Sequence, residues 1–160
     1  MAFDAYLKVE GIDGASTATG FAGAIDILSF SWGASNPVSF SSEGFGAGKV
    51  SLSSFNIMKQ SDKSSPTLFQ ACCDGKHYAS ATLTLRKAGG TQVKFIEYKF
   101  SEVYVESVQW SGSQGGDDTP TESVSFAFAK VDVTYTPQKA DGTPGAAVVG
   151  SWDLHKVAAK

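Results

Sequence analysis

The segment EGFGAGKVS, residues 43–51, combines three alternating glycines with a lysine, which is a composition that can bind phosphate. In a phosphate-binding P-loop, G-x-x-x-x-G-K-[S/T], backbone N–H groups and the lysine hold the phosphates and the hydroxyl binds Mg²⁺. If Gly48 and Lys49 are the GK pair, Glu43 takes the place of the first glycine and Val50 that of the hydroxyl. A glutamate repels a polyphosphate and a valine cannot bind a metal ion, so this segment is not a phosphate-binding loop.

Histidines and cysteines offer no better case for catalysis or metal binding. His77 and His155 have no second histidine at a metal-ligand spacing, and an isolated histidine in a connecting segment is more often structural or solvated. Cys72 and Cys73 are adjacent, and two residues cannot make a four-ligand zinc site. We interpret them as reduced thiols, which suits a reducing cytoplasm.

Carboxylates are also poorly placed for acid–base chemistry. Asp117 and Asp118 lie in a glycine-rich tract without the remaining ligands of a calcium loop. Glu102 and Glu106 fall on one strand with the same parity, about 13 Å apart at the ordinary strand rise. That separation is too long for both to act on one substrate atom. We therefore predict no catalytic, metal-binding or cofactor-binding residues, and no enzyme activity.

The bulk properties fit one globular domain spanning residues 1–160. The chain has a net charge of −3 and no cluster of basic residues, and both features disfavour nucleic-acid binding. No apolar run approaches the ~20 residues that a membrane-spanning helix needs. The first residues, MAFDAYLKVE, predict a strand rather than a signal peptide.

Apolar and polar residues alternate along most of the chain, which predicts about seven strands in an antiparallel barrel or sandwich. In the second strand we expect Leu28, Phe30 and Trp32 to face the core, leaving Ser29 and Ser31 opposite. A one-residue slip at residues 53–54 predicts a β-bulge in the third strand. The predicted strands are Ala5–Val9, Ile25–Trp32, Lys49–Met58, Ala81–Arg86, Gln92–Trp110, Glu122–Tyr135 and Ala147–Leu154.

One short helix is predicted in the segment SSPTLFQACCDG. Ser65 is a suitable N-cap, and Pro66 fits the first helical position because its missing N–H has no intrahelical partner there. Gly75 can adopt the left-handed conformation that ends a helix. A glycine- and serine-rich connection, residues 33–48, joins two of these strands, and we call it the arm.

Several motifs, in this order and spacing, make the whole chain from Phe3 to Trp152 resemble the Hcp family, the tube proteins of bacterial type VI secretion systems. These motifs are IDILSFSWGAS, GAGKV, DKSSP, GKHY, LTLRKAGG, TPQKADG and SWDL. The resemblance implies a mostly β fold: an antiparallel barrel of two sheets with one short external helix and a long extended hairpin. It also implies rings of six copies that stack into a hollow tube.

The resemblance further implies a sheath around the tube, a VgrG-type spike at its end, and small effector proteins in the lumen. It implies assembly in the bacterial cytoplasm and export without a signal peptide. Ser29 and Ser31 lie on the strand face opposite the core residues, and the resemblance implies that this face lines the lumen. We therefore expect Ser29 and Ser31 to face the lumen. The arm is expected to contact another subunit or ring through Glu43, Gly44, Phe45, Gly46, Gly48 and Lys49.

Other functions stay open at this stage. A tube subunit from a phage or an extracellular contractile particle would share the architecture. A monomeric ligand-binding barrel is the alternative from another class, and it requires an empty apolar interior. The large aromatic residues predicted to point inward would instead fill a small barrel.

Overall fold

A computed structural model describes residues 2–88, 93–116 and 118–158. Within these ranges the chain forms twelve strands and one helix, α1. The first residue of the strand predicted to begin at Gln92 and the carboxylate residue Asp117 lie outside the described residues. The elements in chain order are β1 Phe3–Val9, β2 Ile25–Asp26, β3 Ser29–Ser31, β4 Ala34–Ser35, β5 Val38–Ser41, β6 Gly44–Ala47, β7 Ser51–Leu52, β8 Phe55–Gln60, α1 Ser65–Asp74, β9 His77–Lys87, β10 Lys94–Ser111, β11 Thr121–Tyr135 and β12 Val148–Asp153.

The main sheet has eight strands and is antiparallel throughout. Seven of them follow the order β2-β1-β9-β10-β11-β8-β3, and β12 pairs with β11 beside them. The two ends of this order meet, because β2 and β3 are separated by only two residues. The Ile27 N–H bonds to the Ala5 carbonyl of β1, and the Leu28 N–H bonds to the Met58 carbonyl of β8. The sheet therefore curls into a barrel, which confirms the predicted mostly β antiparallel architecture. The wall is one continuous sheet rather than two.

The segment that closes the barrel changes the face it turns to the core. Ile25 is fully buried and Leu28 is 62% exposed, whereas Phe30 and Trp32 pack against the core. The prediction of one regular strand from residue 25 to 32, with Leu28 inward, was therefore wrong for its first half. The chain must leave β1 and join β8 within two residues, and this crossing shifts the alternation. Ser29 and Ser31 are exposed, as predicted.

Aromatic side chains fill the barrel. The Phe100 ring stacks on Phe55 with centroids 4.4 Å apart, and it contacts Phe128 at 4.6 Å and Trp32 at 5.4 Å. Phe126 also stacks on Phe55, at 5.7 Å. This packing explains why the strands form, since alternate residues of β8, β10 and β11 bury their apolar area together. It also argues against a monomeric barrel that holds a small ligand in its interior.

Strands β10 and β11 change faces together. Along β10 the buried positions move from Phe100 to Val103, and along β11 they move from Phe128 to Val131. The pairs Phe100–Val131 and Val103–Phe128 nevertheless keep one register. Glu102 lies at this level with φ of 54°, a conformation that non-glycine residues rarely adopt. The alternation along β11 is therefore lost near residue 130, and the loss results from a bend shared by both strands.

The helix α1 lies where it was predicted, and it packs against β10. Gly75 ends it in the left-handed conformation, with φ of 65°, as predicted. The N-cap is Ser64 rather than Ser65, and it makes no side-chain capping bond. Ser65 is instead the first residue of the helix, and its hydroxyl forms hydrogen bonds with buried side chains of the barrel. No helix in the described ranges is long and apolar enough to cross a membrane.

Candidate functional site

An uncharged patch covers part of the outer face of the barrel. Directly paired residues of neighbouring strands project to the same side of a sheet, so the pairing of β3, β8, β11 and β10 defines two parallel rows. We call this patch the serine wall; its rows are Ser29, Met58, Ser123 and Gln109, and Ser31, Asn56, Ser125 and Ser107. None of these eight side chains carries a charge.

The serine wall forms because the opposite face of the same strands is apolar. Ile57 and Val124 are buried, and they alternate with Asn56 and Ser125. On the outer face the Ser125 hydroxyl donates to Asn56 Oδ1 at 2.5 Å. Small hydroxyl side chains leave a shallow depression of about 220 Å³ over Met58 and its neighbours. The surface is therefore smooth, weakly polar and able to form neutral hydrogen bonds.

The predicted arm is an ordered two-stranded ribbon. We use the name ribbon for β5, β6 and the two-residue turn between them, residues 38–47. Its side chains are strongly exposed: Val38 to 62%, Phe40 to 75% and Phe45 to 79%. The Phe40 and Phe45 rings contact each other with centroids 5.0 Å apart. The extended hairpin that the resemblance implies is therefore confirmed, and it exposes Phe45.

Gly44 in the ribbon and Gly48 directly after it are both required by the backbone geometry. Gly44 has φ of 117°, which residues with a Cβ rarely adopt. At Gly48 a Cβ atom would lie 2.6 Å from the Pro37 carbonyl oxygen, where the Gly48 N–H donates to that oxygen at 2.7 Å. Gly44 and Gly48 therefore each hold a defined backbone geometry. Glu43 lies in its turn, Gly46 pairs with Ser39, and Lys49 follows its base.

A buried charged cluster joins α1 to the barrel, and no sequence pattern predicted it. Lys59 on β8 and Glu122 on β11 are paired neighbours, both fully buried, and they form an ion pair. The Ser65 hydroxyl donates to Glu122 Oε2 at 2.9 Å and accepts from Lys59 Nζ at 3.1 Å. Trp110 Nε1 donates to Glu122 Oε1 at 2.5 Å. These bonds satisfy the buried carboxylate and ammonium, so the cluster fixes the helix in one position.

Asp62 extends this cluster towards the surface. Burial alone would raise the pKa of Asp62, but hydrogen bonds from Ser64 and Lys59, with the charge of Lys59, hold the pKa below its ordinary value. Its carboxylate lies 3.1 Å from Lys59 Nζ and accepts from the Ser64 backbone N–H at 2.9 Å. The charged form of Asp62 is therefore favoured in the folded state.

This shift predicts how stability depends on pH. A lowered pKa adds stability above the unfolded-state value of about 3.9, and that stability is lost as pH falls through the lower folded-state value. We expect Asp62→Asn to be less stable than the parent at pH 7, by about 1 kcal/mol, and the difference to shrink below about pH 4. Urea unfolding at a series of pH values measures it. An Asp13→Asn control, at an exposed position, tests whether the effect needs Asp62; an equal pH dependence in both variants would contradict the prediction.

The glycine–lysine segment, the cysteines and the histidines form no recognisable catalytic or metal site among the described residues. Gly48 and Lys49 follow a β ribbon rather than a strand-to-helix turn, so the P-loop is excluded by structure as well as by sequence. Among the described residues, no group of three or more metal-ligating side chains is close enough to hold a metal ion. Cys72 and Cys73 are free thiols. The two histidines do converge on one cavity of the outer wall, which their spacing did not predict.

The comparisons with known proteins agree with one another. A family model described as type VI secretion system effector, Hcp, matches residues 6–135. Protein hcp1 of Pseudomonas aeruginosa is 44% identical over 159 residues, which is 98% of each chain. A solved structure of a type six secretion system protein has a TM-score of 0.94 at 34% identity, covering 99% of this chain and 100% of the other. Hcp1 from Salmonella typhimurium has a TM-score of 0.82 at 29% identity and full coverage of both chains.

Proposed function

Since this chain belongs to the Hcp family of type VI secretion system proteins, we propose that six copies close into a ring whose lumen is lined by the serine wall. The family assigns the chain to a type VI secretion tube rather than to the tube of a phage. Stacked rings then form a hollow tube, with the ribbon of each subunit contacting another copy. Head-to-tail contacts of this kind build closed rings and, when they repeat along an axis, filaments.

The absence of charge on the serine wall is the observation that supports this assignment. A lumen must hold folded cargo and also release it, so its surface has to be wettable without forming strong ion pairs. Side chains such as Ser29, Ser31 and Ser125 offer neutral hydrogen bonds, each of which contributes only about 0.5–1.5 kcal/mol net. Many weak contacts of this kind retain cargo reversibly.

The proposed partners follow from this role. We propose that the tube lies inside a contractile sheath, is capped by a VgrG-type spike, and carries small effector proteins. The subunit would assemble in the bacterial cytoplasm and leave the cell with the tube. Members of this family are structural components of the secretion system, and we assign no reaction and no cofactor to this chain.

Ser31→Gln tests the position of the wall. The longer amide would project from the wall into the lumen and displace cargo, so we expect about a tenfold loss of effector co-purification, equivalent to about 1.4 kcal/mol. Ser113→Gln, in an exposed loop, is the matched control and is expected to retain cargo. Native mass spectrometry and negative-stain imaging check that both variants form rings. Unchanged retention by intact Ser31→Gln rings would sink the proposal that this wall faces cargo.

A further inference from the structure

The serine wall continues along β11 into a cavity of different chemistry. Ser125 and Ala127 are two residues apart, and Phe126 between them is fully buried, so Ala127 lies on the same face as Ser125. Tyr104 on β10 pairs directly with Ala127 on one side and with His77 on the other, which makes these three residues the next row of that face. The cavity over this row has a volume of about 380 Å³ and is lined by His77, Glu102, Tyr104, Ala127, Phe128, Ala129 and His155.

The floor of the cavity is apolar, and its size suits a bound group. Ala127 and Ala129 are half-buried, so their methyl groups form an open floor without long side chains. The volume falls within the range of about 300–1,000 Å³ that is usual for ligand pockets. It also exceeds the depression of about 220 Å³ over the serine wall. This part of the face can therefore enclose a side chain rather than only touch it.

Two aromatic rings form one side of the cavity. The Tyr104 and His77 rings contact each other with centroids 5.2 Å apart and planes tilted by 40°. Tyr104 is 44% exposed, so part of its ring is available to another molecule. The face of a tyrosine ring attracts cations, and the guanidinium group of arginine is the cation most often found there in proteins.

Glu102 supplies the charge of the cavity. It lies at the bend of β10 with φ of 54°, and strained backbone of this kind occurs preferentially at functional sites. His155 Nε2 lies 2.6 Å from Glu102 Oε2, which positions the carboxylate and leaves Oε1 to accept from a ligand. Among the seven described residues that line the cavity, Glu102 is the only carboxylate and none is a lysine or an arginine. The cavity therefore disfavours anions and favours a cation.

We propose that this cavity holds an arginine side chain of the cargo, with its guanidinium group paired to Glu102 and stacked on Tyr104. The planar guanidinium matches both a carboxylate and a ring face, which the compact ammonium of lysine does not. The aliphatic stem of the arginine then covers the methyl group of Ala127.

This inference rests on the proposed function, because the cavity faces the cargo only if the serine wall lines the lumen. It adds a basis for selecting cargo. The serine wall holds any wettable surface weakly, whereas the cavity favours cargo with an exposed arginine. The side chain of Glu102 is 51% exposed, so water and salt weaken the ion pair and binding stays reversible.

Two labelled peptides test the chemistry of the cavity. One is a fluorescein-labelled glycine–serine peptide with a central arginine; in the other, citrulline replaces the arginine and keeps its shape without its charge. Fluorescence anisotropy, with the purified protein as titrant, measures binding. We expect the parent to bind the arginine peptide about fivefold more tightly than the citrulline peptide. The preference is expected to shrink in about 0.5 M NaCl, because salt screens an exposed ion pair.

Variants of the cavity locate the binding site. Glu102→Gln removes the charge and keeps the size of the side chain, and we expect it to bind both peptides equally. Glu97→Gln, on the same strand but outside the cavity, is the matched control and is expected to keep the fivefold preference. Ala127→Leu fills the floor without a change in charge and is expected to weaken binding of the arginine peptide about fivefold. Circular dichroism and negative-stain imaging check that each variant folds and forms rings.

The outcomes separate this inference from the proposed function. A parent that binds both peptides equally, or neither, overturns the inference, and so does a Glu102→Gln variant that keeps the preference of the parent. In each of these cases the proposed function stands if Ser31→Gln still reduces cargo retention. A parent that stays monomeric at every concentration contradicts the proposed function, and with it the assignment of the cavity to cargo, whichever peptide it binds.

Discussion

Lys59→Met is expected to lower the free energy of unfolding by about 3–5 kcal/mol, because it leaves the carboxylate of Glu122 buried without its cation. Both side chains are fully buried, so water cannot replace the lost partner. Ser65 and Trp110 still donate to this carboxylate, but two neutral donors do not replace a full charge. Guanidinium unfolding followed by tryptophan fluorescence measures the change. All variants are compared at one protein concentration, because association raises apparent stability.

Two controls separate the buried pair from general effects of charge. Lys94→Met removes a lysine from the pair of Lys94 with Glu97, in which the lysine is 58% exposed, and is expected to cost at most about 1 kcal/mol. The double variant Lys59→Met with Glu122→Leu removes both charges and is expected to recover most of the lost stability. If Lys59→Met proved no more costly than Lys94→Met, the cluster would not have the energetic role assigned to it.

Phe100→Ala is expected to destabilise the subunit by a similar amount, about 3–5 kcal/mol, for a different reason. Phe100 is fully buried and touches Phe55, Phe128 and Trp32, so its removal leaves a cavity at the centre of the barrel. Thermal and chemical unfolding both measure the loss.

Phe40→Ala is the matched control for this prediction, since Phe40 is 75% exposed. Its effect on the unfolding free energy is expected to stay within about 0.5 kcal/mol, as for most surface substitutions. If the two alanine variants unfolded with equal free energies, the aromatic cluster would not be the main stabilising centre of the barrel.

The fold was predictable where local patterns decide the structure. Alternation along β11 placed Phe126 and Phe128 inward, and Gly75 marked the end of α1, because both signals depend on a few neighbouring residues. The buried pair of Lys59 and Glu122 was not predictable, since its partners are 63 residues apart. Only the pairing of β8 with β11 brings them together. In a strand with alternating apolar and polar residues, a lysine or a glutamate usually indicates the solvent-facing side.

In the candidate site, too, local patterns were predictable from the sequence and contacts between distant strands were not. Parity placed Ser29 and Ser31 on the outer face, but their neighbours Asn56 and Met58 depend on the register between β3 and β8, which a single sequence does not specify. The cavity lined by both histidines was missed because it gathers residues from β9, β10, β11 and the segment after β12. A histidine isolated in the sequence, such as His155, thus found a partner in Glu102 only after the strands had paired.

The closure of the barrel has a consequence for folding during synthesis on the ribosome. β8 is paired on one side with β3, and its other side stays open until β11, residues 121–135, has been synthesised. β11 also pairs with β10 and β12. A nascent chain that lacks β11 therefore has unpaired edges on β8 and β10, and its core is not closed. Competence to assemble therefore arrives late in translation, and truncated chains from aborted synthesis would lack the folded wall needed to enter an assembly.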